Sequence, residues 1–221
     1  MTRIFLAGLL GGIAIFIWGY ISWTVLPLGS VGLRKLPNEP AVLDALQKNM
    51  AESSGIYLFP GVWLDSAASS ATATPSISTE PGPPEKDFAE KVARYPSGIL
   101  IYNAAGSRSI VMSHWLLVDF LTELAQALLA VFLLSRTRLT TFGARLTFVL
   151  LVGVLAASAT NLGYWNWYGF PWSYTLACIF TQVVGFLWIG LVAAFVLKKQ
   201  TFGVSSARRF LPWIWRAILG G

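Results

Sequence analysis

The segment HWLLVDFLTELAQALLAVFLLS (His114–Ser135) decides the fold of this chain. It is long and apolar enough to cross a bilayer, since a transmembrane helix needs about 20 predominantly apolar residues. Yet Asp119 and Glu123 lie inside it. On a helix, positions i, i+3, i+4 and i+7 share a face. Asp119, Thr122, Glu123 and Gln126 have that spacing. The polar residues therefore form one stripe on a span otherwise rich in Leu, Val, Phe and Ala. Such a stripe must face the bundle interior, a water-filled cavity or another protein. A rise of about 1.5 Å per residue puts Glu123 about 18 Å and Asp119 about 24 Å from the end at Ser135. In a hydrocarbon core about 30 Å thick, the stripe descends from one interface and stops near mid-membrane. The stretch from Leu128 to Leu134 beyond it is apolar. His114, the single histidine, falls at that interface. His-x4-Asp-x3-Glu is not a recognised ligand spacing, so no metal site is expected.

Composition supports the membrane reading of that segment. The chain is 55% hydrophobic and 12% charged, against about 25% charged residues in soluble domains. Mean hydropathy is +0.63. Four runs read as spans: 4–26, closed by Pro27; 110–134; 146–164; and 172–197, with Pro171 at a helix-start position. The expected fold is an all-α transmembrane four-helix bundle. The first run has Arg3 before a long apolar core and no clean small-x-small site after it, so it reads as a retained anchor rather than a cleaved signal peptide. The single cysteine, Cys178, excludes an intrachain disulfide and a multi-thiolate metal site.

Lys and Arg counts set the orientation. With the N-terminus cytoplasmic, the cytoplasmic side holds Arg3, Arg136, Arg138, Arg145, Lys198, Lys199, Arg208, Arg209 and Arg216, and no acid. The loop 27–109 is near neutral. Both termini are therefore expected in the cytoplasm of a bacterial inner-membrane protein, with the loop in the periplasm. The formal net charge of +6 is then a topology signal, and no nucleic-acid partner is expected.

The 27–109 loop is too long for a passive connector. ALQKNMAESSGIYLFP (Ala45–Pro60) echoes FAEKVARYPSGILIYN (Phe88–Asn103). Each reads as a short helix and then a short strand, so the loop is expected to be a small α+β extracytoplasmic insert. Asn38 is the expected N-cap of its first helix. The Ser/Thr/Pro-rich stretch 65–84 between the echoes reads as a flexible loop. Two strands make a marginal sheet that helices, the membrane face or a partner must cover.

The turn NLGYWNWYGFPW (Asn161–Trp172) supplies Tyr164, Trp165, Asn166, Trp167, Tyr168 and Trp172 at the outer boundary. These rings suit the headgroup level. They could also form a platform for a lipid, quinone or pigment; no other cofactor is expected. Gly8 with Gly12, and Gly153 with Ala157, give small-xxx-small faces that permit close helix approach. The tail 200–221 carries Arg208, Arg209, Trp213, Trp215 and Arg216, a basic amphipathic pattern suited to the cytoplasmic leaflet or to a docking arm.

Three motifs, WGxISWxVLP (Trp18–Pro27), SGIY (Ser54–Tyr57) and YWNWxGF (Tyr164–Phe170), together with the four spans, resemble a group of small uncharacterised bacterial four-span inner-membrane proteins. The resemblance implies the location and the fold, and it carries no catalytic residue. The Asp119/Glu123 pair and the tail are not part of it. One His, one Cys in an apolar run, and no P-loop or dinucleotide motif offer no catalytic set, so an enzyme is not expected. Two functional readings remain. One is an accessory or scaffolding subunit of a larger membrane complex of respiratory or photosynthetic type, held by lipids and other integral-membrane subunits. The other is a small oligomeric ion or proton transporter or channel using the Asp119/Glu123 stripe.

Overall fold

The structure, a computed structural model, describes residues 2–50, 53–61, 83–108 and 111–197. The basic tail with Arg208, Arg209, Trp213, Trp215 and Arg216, and all but the last two residues of the 65–84 loop, lie outside the described residues. In chain order the elements are α1 (Thr2–Tyr20), a π-helical turn (Ile21–Val25), a 3-10 turn (Pro27–Ser30), α2 (Glu39–Met50), β1 (Gly55–Phe59), α3 (Pro83–Arg94), β2 (Gly98–Tyr102), α4 (Met112–Ser135), α5 (Phe142–Tyr168) and α6 (Trp172–Val196). Two compact units result, Met1–Leu33 with Val111–Gly221, and Arg34–Ile110.

The first unit holds α1, α4, α5 and α6. With the π turn continuing α1, all four helices are long and apolar enough to cross a membrane. Glycines set how close they come. A Cβ on Gly12 would fall 2.9 Å from the Leu124 Cα, and one on Gly8 would fall 3.1 Å from the Leu128 Cα. The missing side chains thus let the backbones of α1 and α4 nearly touch, as the small-residue spacing predicts. A Cβ on Gly153 would fall 2.4 Å from the Phe186 Cβ, so α5 receives an α6 aromatic ring in a notch, beside buried Ala157. Gly185 of α6 accommodates Ile15 of α1 in the same way.

The end of the bundle that holds the start of α1 and the end of α4 is dry. Ala7, Ala127, Ala130, Val131, Leu134, Val149, Ile189 and Ala193 are buried there against one another. Arg145 lies at the same end. The sequence reading leaves Arg145 in a loop before a span starting at 146, and finds no Lys or Arg in any span. In the structure α5 begins at Phe142, capped by the Thr141 hydroxyl accepting from the Ala144 N–H (3.2 Å), and Arg145 is 1% exposed. Its guanidinium donates to the Leu139 carbonyl (3.0 Å) and to the Leu197 carbonyl. The last carbonyls of a helix lack intrahelical donors, and a cation at a helix C-terminus is stabilising. Burying this arginine is the consequence.

At the opposite end two expectations shift. The aromatic stretch is not a loop: α5 continues through Asn161–Tyr168, and only Gly169–Pro171 are non-helical. Gly169 ends the helix in the left-handed region (φ 67°), which glycine adopts without steric cost. Span one also ends irregularly. Pro27 has no N–H to donate, and the residue before a proline is forced to an extended conformation. Leu26 accordingly has φ −91° and ψ 139° while its N–H reaches back to the Ile21 carbonyl (2.9 Å), making the π turn.

The second unit contains α2, α3 and the sheet. Helix α2 starts after Asn38, whose carbonyl accepts from the Ala41 N–H (3.1 Å), and α3 starts at Pro83, inside the stretch read as loop. Strands β1 and β2 pair antiparallel, Gly55 with Tyr102 through Phe59 with Gly98. The two echoed Ser-Gly-Ile units thus meet with Tyr57 opposite Leu100 at the centre. The repeat seen in sequence becomes a register symmetric about that pair. Among the described residues both faces of the sheet keep exposed side chains: Ile56 is 68% and Ile101 65% exposed on one face, and Phe59 is exposed on the other.

Candidate functional site

The polar stripe of α4 faces inward. Asp119, Thr122, Glu123 and Gln126 all line one cavity of about 230 Å³. Helix α1 contributes Ile15, Trp18 and Gly19; the π and 3-10 turns contribute Trp23, Leu28 and Gly29. Helix α6 contributes Tyr174, Ala177, Cys178, Thr181 and Gln182, again on one helical face. The cavity lies in the half of the bundle opposite the dry core. Among the described residues, no Lys or Arg lines it.

Local sequence explains each wall. Gly19 has no side chain where Glu123 arrives: a Cβ there would sit 3.0 Å from Glu123 Oε1. Trp18 is anchored by its indole N–H, which donates to the Thr181 carbonyl (2.8 Å), tying α1 to α6. Trp23 lies on Gly29, where a Cβ would come within 2.2 Å of the indole Cε3. Gly32, with φ +80°, does the same at the base of Tyr174, 2.7 Å from its Cβ. Any other residue at Gly32 would meet both strain and a clash. The glycines after Pro27 therefore fold the end of α1 back as a turn over the cavity.

The electrostatics are unusual for a span. Asp119 is exposed toward the mouth, and Glu123 is half-buried. Glu123 Oε2 is shielded from solvent and, among the described residues, has no hydrogen-bond partner. A charge at mid-span costs about 2.5–3.5 kcal/mol on insertion scales. An unpaired buried polar atom adds about 1–3 kcal/mol. Three hydroxyls on α5 and at the end of the first span are engaged with local carbonyls. Ser22 donates to the Gly19 carbonyl (2.8 Å), Thr24 to the Tyr20 carbonyl and Thr160 to the Ala156 carbonyl. Thr122 itself donates to the Val118 carbonyl (2.8 Å). Gln182 does reach the cavity, and its Oε1 accepts from Asn161 Nδ2 (3.3 Å), so α5 steadies it from behind. His114, Asp119 and Glu123 do not gather: among the described residues no three potential metal ligands cluster.

The aromatic residues fall into two sets. Tyr164 stacks on Phe170 (5.3 Å between centroids), and Phe170 meets Tyr174 edge-on (5.6 Å). Trp165 packs on Trp172 (5.1 Å). Tyr168 lies 6.0 Å from Tyr164, and Trp167 is 79% exposed. Asn166 is exposed as well. Among the described residues, Tyr174 joins this surface cluster to the cavity. Sequence reasoning missed Trp18, Trp23, Tyr174 and Cys178 as cavity residues. Tyr174, Cys178, Thr181 and Gln182 repeat at helical spacing in a very apolar span, and that second stripe was the available signal. Compared with known protein families, curated proteins and solved structures, the chain finds no match.

Proposed function

We propose that this chain is a small multi-pass protein of the bacterial inner membrane that binds and moves a cation or proton through the acidic cavity, acting as an oligomer. The supporting observation is Glu123: its carboxylate lines a cavity whose remaining polar groups are uncharged apart from Asp119, and among the described residues its Oε2 has no hydrogen-bond partner. Intramembrane acids facing a cavity are the usual parts of ion and proton paths. The proposed orientation is both termini cytoplasmic and the insert periplasmic, supported by the Lys/Arg distribution. The cavity then opens from the periplasmic half, and the small-residue core below it closes the path. Movement across requires the seam between α1, α4 and α6 to open.

The test is charge or proton flux in proteoliposomes for the wild type and the Asp119→Asn/Glu123→Gln double variant. Flux should fall at least roughly tenfold, equivalent to about 1.4 kcal/mol. Unchanged flux in the double variant sinks the reading.

A second reading is an accessory subunit of a larger membrane complex. The observation favouring it lies in the insert, whose two-stranded sheet exposes Ile56 and Ile101 on one face and Phe59 on the other. A two-stranded sheet open on both sides needs a further layer.

A further inference from the structure

We propose that the α1–α4–α6 cavity is a binding site for a small organic ammonium ion bearing at least one N–H, such as a protonated alkylamine. This rests on the reading of the cavity as the cation site, and adds the chemical class of the ligand.

Three observations carry it. The first is the acceptor. Glu123 lines the cavity, and among the described residues its Oε2 has no hydrogen-bond partner. A buried acceptor of this kind is satisfied by a donor, and a charged donor makes the stronger bond. An ammonium N–H supplies both the charge and the hydrogen; a quaternary ammonium supplies only the charge. Asp119, on the same helical face toward the mouth, draws a cation inward.

The second is the composition of the other walls. Trp18, Trp23 and Tyr174 line the same space as the acids. Aromatic rings near carboxylates are suited to organic cations, because the ring quadrupole attracts the charge while the ring surface takes the alkyl part. Ile15, Leu28 and Ala177 add apolar contact. A bare or hydrated metal ion has no use for those walls, since its preferred ligands are oxygens in number.

The third is size and preorganisation. The volume of about 230 Å³ is several times the roughly 30 Å³ that one water occupies in the liquid. It suits an amine of a few carbons and excludes a large pigment. One of the rings is already held. Trp18 is fixed by its bond to the Thr181 carbonyl, while Trp23, 59% exposed, rests on Gly29. A ring held before binding costs little ordering entropy when the ligand arrives.

The experiment is calorimetric titration of the full-length protein in detergent with n-butylammonium chloride at constant ionic strength. Tetramethylammonium chloride and sodium chloride are titrated alongside. The wild type should bind butylammonium saturably, and tetramethylammonium at least roughly fivefold more weakly for want of the N–H. Glu123→Gln and Asp119→Asn should each weaken butylammonium binding by roughly tenfold. Both are near-isosteric, and retained helicity and a monodisperse elution profile establish that they fold. Three results would overturn the site: no saturable butylammonium binding by the wild type, unchanged binding in both variants, or displacement by sodium at equal concentration. Binding in detergent requires no transport. A protein that binds butylammonium but carries no charge in liposomes therefore defeats the transport reading alone. One that conducts protons and ignores butylammonium defeats this inference alone.

Discussion

Glu123 is the residue on which most of this molecule's chemistry turns. Its carboxylate packs over Gly19, where a Cβ would come 3.0 Å from Oε1, and among the described residues Oε2 has no hydrogen-bond partner. Replacing an unsatisfied buried polar group by an apolar one of similar shape removes a desolvation penalty and adds packing. Glu123→Met should therefore stabilise the bundle by about 1–2 kcal/mol while abolishing cation binding, as functional groups often cost stability. Denaturant unfolding in mixed micelles would read this, and a less stable variant would mean that the carboxylate already has a partner. Arg145 is the opposite case. It is also buried and charged, yet its guanidinium is committed to the Leu139 and Leu197 carbonyls. Arg145 finishes a helix end, whereas Glu123 Oε2 is shielded from solvent with no such carbonyl or donor to meet it among the described residues.

At the scale of elements, the contact between α1 and α4 illustrates what small residues do in a membrane. Lipid tails are as apolar as leucine, so helices associate through close packing rather than exclusion from water. Gly8 and Gly12 supply that packing against Leu128 and Leu124. Gly12→Val would place its Cβ 2.9 Å from the Leu124 backbone, where nothing flexible can yield. The expected cost is about 1–3 kcal/mol from overpacking, read as a lower unfolding midpoint in detergent. Gly163, with open space around its Cβ position, is the control, and Gly163→Ala should change the midpoint little or raise it. The π turn at Ile21–Val25 is another element with a consequence. It continues α1 to Val25, places Trp23 at the cavity and leads into the 3-10 turn that brings Leu28 and Gly29 there.

At the scale of the whole molecule, the membrane unit has one polar half and one dry half, and the insert has an unfinished sheet. The partner reading makes a prediction for the second. Ile56→Lys with Ile101→Glu changes two exposed side chains and puts opposite charges at a directly paired position, so stability should stay within about 0.5 kcal/mol. Proteins recovered with the wild type by mild detergent extraction should be lost from the double variant. A wild-type preparation that elutes as this chain alone would remove the accessory-subunit reading.

The sequence by itself determined the four spans, the two helix-strand units of the insert and the four-residue stripe on α4. These are properties of periodicity and composition, which act over a few turns of chain. It also pointed to the glycine faces, because close approach needs small residues wherever the partner lies. Tertiary structure decided the rest. Which face of α1 and α6 meets the stripe depends on how helices far apart in sequence rotate and cross, and no local pattern encodes that. The same holds for the burial of Arg145, whose partner carbonyl on Leu197 lies 52 residues away. The question posed by two acids inside an apolar span could be framed from His114–Ser135 alone. The indoles of Trp18 and Trp23 and the ring of Tyr174 beside those acids appeared only once three helices had packed, because a cavity belongs to the space between elements and to none of them singly.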